Sequence, residues 1–286
     1  MRQNTRSEYA IGAALVVISA ITFSTAGVFT KGVEAGSWEV IFWRGIFAAA
    51  FTTLWIWGRG TLRQNFICMG VAGWVVGVTG ALGIIAFISS FKFTTIANVS
   101  VIYAVSPLIA ALLAWIVMGE RASARTLAGS AAALIGVAII VFGSLGGSLG
   151  QSSLVGDLLA LWMAGVMSSI MVIYRKYPDT PGAGPAVLSS VLLLPFAGML
   201  GNPFDVVGPE VAILIAFGLL FAIASVTLAE GAKRMPSGQT ALLSILETPL
   251  APVFAYLLLA EIPGIATFVG GAVVIAAVVF SLRGEG

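Results

Sequence analysis

The chain of 286 residues has no histidine and one cysteine, Cys68, and only 9% of it is charged. The missing histidine removes the usual general base and proton relay. With one cysteine, it also leaves no ligand set for a zinc, haem or copper site. A lone cysteine forms no internal disulfide. A Ser-His site is impossible, and neither a Gly-x-Gly-Asp pairing nor a phosphate-binding Gly-x-x-x-x-Gly-Lys loop occurs. An intramembrane enzyme and an ATP-driven pump are therefore disfavoured. A soluble domain carries about a quarter charged residues, so the scarcity of charge excludes that class too. What is abundant is apolar: 59% hydrophobic residues and a mean hydropathy of +1.06. The chain reads as an all-α integral membrane protein.

Apolar runs of about 20 residues, long enough to cross a bilayer as helices, are ten in number. They cover Tyr9–Thr30, Ser37–Gly58, Phe66–Ser90, Thr94–Met118, Leu127–Gly143, Leu154–Tyr174, Gly184–Leu200, Val211–Glu230, Ser237–Ala260 and Ile265–Leu282. Arg2 and Arg6 before the first run fit a signal peptide. That run continues to Thr30 and nine more follow, so it reads as a retained helix. Lys and Arg set the orientation. With both termini cytoplasmic, eleven of the 14 basic residues lie inside, Lys31 and Lys92 lie outside, and Arg44 lies within the second run. The expected location is the cell inner (plasma) membrane, multi-pass. The net charge of +2 gives no reason to expect a nucleic-acid partner. Nothing in the sequence fixes an oligomeric state.

Two stretches half a chain apart share one pattern. Asn98 to Leu108 contains Ser106-Pro107 and continues to Gly119-Glu120. Thr240 to Leu250 contains Glu247-Thr248-Pro249 and continues to Ala260-Glu261. Pro107 and Pro249 lie 142 positions apart, each inside an apolar run. Proline interrupts a helix, and it is tolerated in a membrane where neighbours or a cavity satisfy the freed carbonyl. Gly12, Leu15, Ser24, Val28 and Lys31 match Gly156, Leu159, Ser168, Val172 and Arg175 at an offset of 144. The expected organisation is two repeats, residues 1–150 (segments 1–5) and 151–286 (segments 6–10). Five crossings per repeat is an odd number, so the second repeat is inverted. Paired interrupted helices in inverted repeats mark a transporter with its site at the repeat interface, working by alternating access.

These segments, together with Ala232-Lys233-Arg234-Met235-Pro236-Ser237-Gly238, resemble the EamA-type repeats of the drug/metabolite transporter superfamily over nearly the whole chain. The resemblance implies ten helices, a central cavity and export or exchange of small organic metabolites. Within that superfamily the chain is most similar to amino-acid exporters, the aromatic branch in particular.

The candidate site follows from polar groups within the runs, which are expensive in lipid. On the ninth run, Thr240, Ser244, Glu247 and Thr248 fall at i, i+4, i+7 and i+8, one helical stripe. Asn98 and Ser106 occupy the matching places on the fourth. Both stripes are expected to line the cavity, with carbonyls freed near Pro107 and Pro249 as further acceptors. The alternative is interhelical hydrogen bonding. Glu247 is a candidate for binding a substrate ammonium or carrying a coupling proton, or else a structural hydrogen bond. Arg44 is a candidate for carboxylate capture, set against a scaffold role with its side chain reaching outward toward Glu39. Trp43, Tyr103 and Trp162 are candidates for stacking on an aromatic substrate, set against packing. Thr22, Ser24, Thr25, Ser168 and Ser169 are weaker wall candidates. Gly77 and Gly80, in a glycine series on the third run, are candidates for close packing or a hinge. Glu120 and Glu261 lie at helix ends, where capping is the expected role. No metal or cofactor is called for. A carrier of sugar phosphates would need several buried cations where this chain has Arg44 alone, so a zwitterionic or neutral substrate fits better than a sugar phosphate or a drug. A channel lacks a repeated filter motif.

Overall fold

A computed structural model describes residues 2–119, 124–145, 153–177, 179–232, 234, 243–244 and 246–282, and every regular element among them is helical. The α-helices are α1 (Arg2–Ser24), α2 (Ala26–Lys31), α3 (Ser37–Gly58), α4 (Gly70–Phe93), α5 (Ile96–Tyr103) and α6 (Ser106–Met118). They continue with α7 (Ala124–Leu145), α8 (Leu154–Lys176), α9 (Ala183–Leu200), α10 (Gly208–Ala232), α11 (Glu247–Leu259) and α12 (Ile265–Leu282). In hydrocarbon every backbone polar group must be satisfied within its own segment, which leaves helix as the outcome for such runs.

Among the described residues, seven spans are long and apolar enough to cross a membrane: Glu8–Lys31, Ser37–Gly58, Gly70–Phe93, Ile96–Met118, Leu154–Tyr174, Ala183–Leu200 and Gly208–Gly231. Shorter apolar helices, Ala131–Ile140, Leu250–Leu259 and Ile265–Ala277, fall within the expected fifth, ninth and tenth runs. The chain is a multi-pass membrane protein. The third helix starts four residues later than the sequence suggests. Arg63–Ile67 forms a π-helical turn, and Gly70 takes a left-handed φ of +65°, a conformation glycine adopts without strain.

Two compact units emerge, and each collects helices from both halves of the sequence. The first comprises Met1–Ala81 and Thr180–Leu250. Here α10 packs on α1 and α3, and α3 packs on α9. Glycine makes these contacts close: a Cβ on Gly218 would lie 2.6 Å from Phe47 Cβ and 3.0 Å from the Arg44 carbonyl. A Cβ on Gly231 would lie 2.9 Å from the Gly12 carbonyl. The helix ends are tied by acids and amides. Glu210 accepts from the N–H groups of Glu34 (2.7 Å) and Ala35 (3.2 Å), and Glu39 accepts from that of Asn202 (2.7 Å). The Asn65 side-chain oxygen accepts from Gly184 N–H at 3.2 Å. Arg234 pairs with Glu230 (2.9 Å) and Glu8 (3.3 Å), bringing the start of α1 to the end of α10.

The second unit comprises Leu82–Asp179 and Ala251–Gly286. Its largest interface joins α7 to α12. A Cβ on Gly136 would lie 2.7 Å from the Gly270 carbonyl, and one on Gly270 would lie 2.5 Å from the Gly136 carbonyl, so the two backbones meet directly. The two-part helix α5–α6 packs on α8. Its break lies at Ala104 and Val105, between α5 and α6. Pro107 falls in the first turn of α6, where a missing N–H leaves no bond unmade. Gly119, at φ +69°, closes α6. Ala260, at φ +53°, follows the end of α11.

Candidate functional site

Arg44 is fully buried on α3, and none of its three guanidinium nitrogens meets a hydrogen-bond acceptor among the described residues. Its guanidinium carbon lies 4.3 Å from the centre of the Phe221 ring and 5.7 Å from that of Phe217, one turn apart on α10. Phe23 meets Phe221 edge-on and Phe29 stacks on Phe217, so both rings are held from α1 and α2. The close approach at Gly218 brings these rings to the arginine. The outward reach toward Glu39 does not occur: no Arg44 nitrogen bonds to it, and Glu39 accepts from the Asn202 N–H. A desolvated cation–π contact is worth about 2 kcal/mol, against a burial penalty of several kcal/mol for an unpaired ion. The ring faces offset only part of that penalty.

In the second unit, Asn98 is 3% exposed and fully engaged. Its Nδ2 donates to Asp157 Oδ1 (3.1 Å), and its Oδ1 accepts from the Thr267 hydroxyl. Thr94 Oγ1 also donates to Asp157 Oδ1, at 2.6 Å. Glu261 Oε1 accepts from the Ile96 N–H at 2.6 Å, which is the capping role expected for this residue. Glu120 lies outside the described residues. Asp157, fully buried in the first turn of α8, is the member of this group that the sequence reading missed. Its signal was an acid three residues inside an apolar run. Gly156 makes room for it, since a Cβ there would lie 2.7 Å from the Phe93 and Thr94 backbone.

The carbonyls expected to be free near Pro107 are taken. The Ser106 hydroxyl donates to the Tyr103 carbonyl at 2.5 Å, and the Ser168 hydroxyl reaches the Ser106 carbonyl at 2.7 Å. Ser168, whose hydroxyl lies 2.7 Å from the Ala164 carbonyl as well, thus links α8 to the start of α6.

On the ninth run, α11 begins at Glu247, after a turn at Leu246. The expected stripe is therefore interrupted between Ser244, half-buried, and the pair Glu247 (half-buried) and Thr248 (buried). Thr240 lies outside the described residues. Pro249 falls in the first turn of α11, as Pro107 does in α6.

The aromatic candidates differ in their surroundings. Trp43 donates its indole N–H to the Pro203 carbonyl (2.7 Å) and stacks on Phe47, so packing contacts engage it. Tyr103 is half-buried beside the break, and Trp162 is 59% exposed. Gly77 is a packing residue: a Cβ there would lie 2.5 Å from a methyl of Leu188. Gly80 is buried and immediately precedes Ala81, the last residue of the first unit's opening segment.

Broken apolar helices carrying a few buried polar groups make this a multi-pass membrane protein. Residues 10–142 match the model of the EamA-like transporter family. The chain is 25% identical over 280 residues to an uncharacterized transporter of Archaeoglobus fulgidus, an alignment covering 92% of this chain and 94% of that protein. A protein of known crystal structure shares the fold, with a TM-score of 0.66 at 20% identity over 96% of this chain and 97% of the other.

Proposed function

We propose that this protein is a secondary transporter of the EamA type. It exports small zwitterionic or neutral metabolites, foremost amino acids with aromatic or apolar side chains, by alternating access across the cell inner membrane. One observation carries the reading: Gly119 and Ala260, 141 positions apart in the two halves, both take left-handed backbone where an interrupted helix ends. Glycine adopts this conformation freely, whereas alanine does so at a cost. The geometry is thus kept where the residue type is not, as two copies of one unit would keep it.

Two further pairings support inverted repeats of five helices, 1–150 and 151–286. The matched glycines Gly12 and Gly156 each sit where a neighbouring helix end comes close, Gly231 in one case and Phe93–Thr94 in the other. The expected counterparts, segments two and seven, pack together as α3 and α9, and segments five and ten as α7 and α12. Ten crossings with cytoplasmic termini also agree with which helix ends share a cluster. The starts of α3 and α10 are tied near the end of α9, and the start of α1 is tied to the end of α10. In this reading Glu247, Ser244 and Thr248 face substrate, and Asn98 belongs to the framework.

The test is counterflow of radiolabelled amino acids in proteoliposomes, with and without a pH gradient. Exchange of aromatic or apolar amino acids is the expected result. No counterflow with any amino acid overturns this substrate class, and exchange of sugar phosphates or of cationic drugs instead redirects it.

A further inference from the structure

We propose that Arg44, backed by Phe217 and Phe221, is the carboxylate-binding group of this protein. Its ligand is a monocarboxylate carried on an apolar or aromatic body. The proposal rests on the transporter reading only for how that ligand crosses the membrane.

Arg44 is buried to 0% exposure, and its Nε and both terminal nitrogens lack an acceptor among the described residues. A guanidinium presents five N–H donors in a planar fork that matches a carboxylate. A ring face attracts the charge but accepts no such fork, so Phe217 and Phe221 leave that valence unused. Glu39 accepts from the Asn202 N–H and Glu210 from the Glu34 and Ala35 N–H groups, and neither acid pairs with Arg44. A scaffold cation would be expected to have one of them as its partner.

The position also suits a ligand with an apolar body. The Arg44 guanidinium lies over the Phe217 and Phe221 rings, which are in turn packed by Phe29 and Phe23. That shell excludes water and strengthens a charge-assisted hydrogen bond. It would also stack on a phenyl or alkyl group next to the carboxylate. A phosphate, with more charge and more oxygens to satisfy, would need further donors that this shell lacks.

The test uses the full-length protein in proteoliposomes, with tritiated phenylalanine as the binding probe. Competitors are 3-phenylpropionate, which keeps the carboxylate alone, and phenethylamine, which keeps the ammonium alone. Phenylpropionate is expected to displace the probe and phenethylamine to leave it bound. Equal displacement by phenethylamine, or failure of phenylalanine to bind, overturns the proposal, and this arm needs no variant. In Arg44→Lys, which keeps the charge and loses the fork, affinity for both carboxylates is expected to fall about tenfold. Arg44→Gln is expected to abolish binding. Unchanged affinity in either folded variant overturns the proposal.

Counterflow on the same vesicles separates the two readings. Carboxylate binding that depends on Arg44 without any counterflow upholds this site and sinks the transporter reading. Phenylalanine counterflow with unchanged KM in Arg44→Gln does the reverse.

Discussion

Asn98 Nδ2 lies 3.1 Å from Asp157 Oδ1, and this bond ties the broken helix α5–α6 to the first turn of α8. The same Asn98 accepts from Thr267 on α12, and the same Asp157 accepts from Thr94. Three chain segments distant in sequence thus meet through two buried side chains. Removing Asp157 leaves buried donors without acceptors, which costs about 1–3 kcal/mol per group. Asp157→Ala and Asn98→Ala are each expected to lower the thermal unfolding midpoint in detergent. The double variant should lose less than the two single losses added together, because the groups act as a network. Additive losses would show that the network is not a unit.

Gly156 is what lets this network form. A Cβ there would sit 2.7 Å from Phe93 and Thr94 backbone atoms, which cannot swing aside as a side chain does. Gly156→Ala is expected to destabilise by about 1–3 kcal/mol, despite alanine's better helix propensity. A thermal midpoint equal to or above the parent's would contradict that close approach.

Ala260 offers the opposite change. Its φ of +53° places an alanine in left-handed backbone, which costs roughly 1–2 kcal/mol. Its counterpart in the other half is Gly119 at φ +69°. Ala260→Gly relieves that strain, with part of the gain returned as entropy of the unfolded chain. A net stabilisation of about 0.5–1 kcal/mol is expected, seen as a higher thermal midpoint. A lower midpoint would mean that the alanine methyl makes compensating contacts.

These cases show what could be read beforehand. The apolar runs were legible because lipid allows a crossing segment little choice but helix, and a helix start at Pro107 suits a residue without an N–H, although the break itself lies two residues earlier at Ala104 and Val105. Arg44 stood out as a cation within an apolar run. Its aromatic surroundings did not, since Phe217 and Phe221 sit in a run where nearly every residue is apolar. Asp157 escaped notice because its meaning lies in partners 59 and 63 residues away. Asn98 was recognised as a polar residue with a task, yet its bonding capacity is spent on framework rather than left for a ligand.

Gly218 tests whether the shell around Arg44 depends on helix spacing. A Cβ there would meet Phe47 Cβ at 2.6 Å and the Ala48 nitrogen and Arg44 carbonyl at 3.0 Å. Gly218→Ala must push α10 from α3 and carry Phe217 and Phe221 away from the guanidinium. The expected result is a destabilisation of about 1–3 kcal/mol together with weaker phenylalanine binding. Lost stability with unchanged binding would detach the aromatic shell from the carboxylate site.

Glu247 bears on coupling rather than on binding strength. It opens α11 in its first turn, where the helix dipole favours a negative charge, and it is only half-buried. Val105 stands at the matching place in the other half, so the two halves differ in charge at this position. A group that carries the coupling proton is needed for accumulation driven by a pH gradient and not for simple exchange. Glu247→Gln keeps the size and hydrogen-bonding reach of the side chain and removes the titration. It is expected to retain phenylalanine counterflow and to lose the stimulation of uptake by an imposed pH gradient. Loss of both activities in a folded variant would make Glu247 a contact for the substrate ammonium instead. Retention of both, across pH, would remove it from the mechanism and leave proton coupling without a carrier at this position.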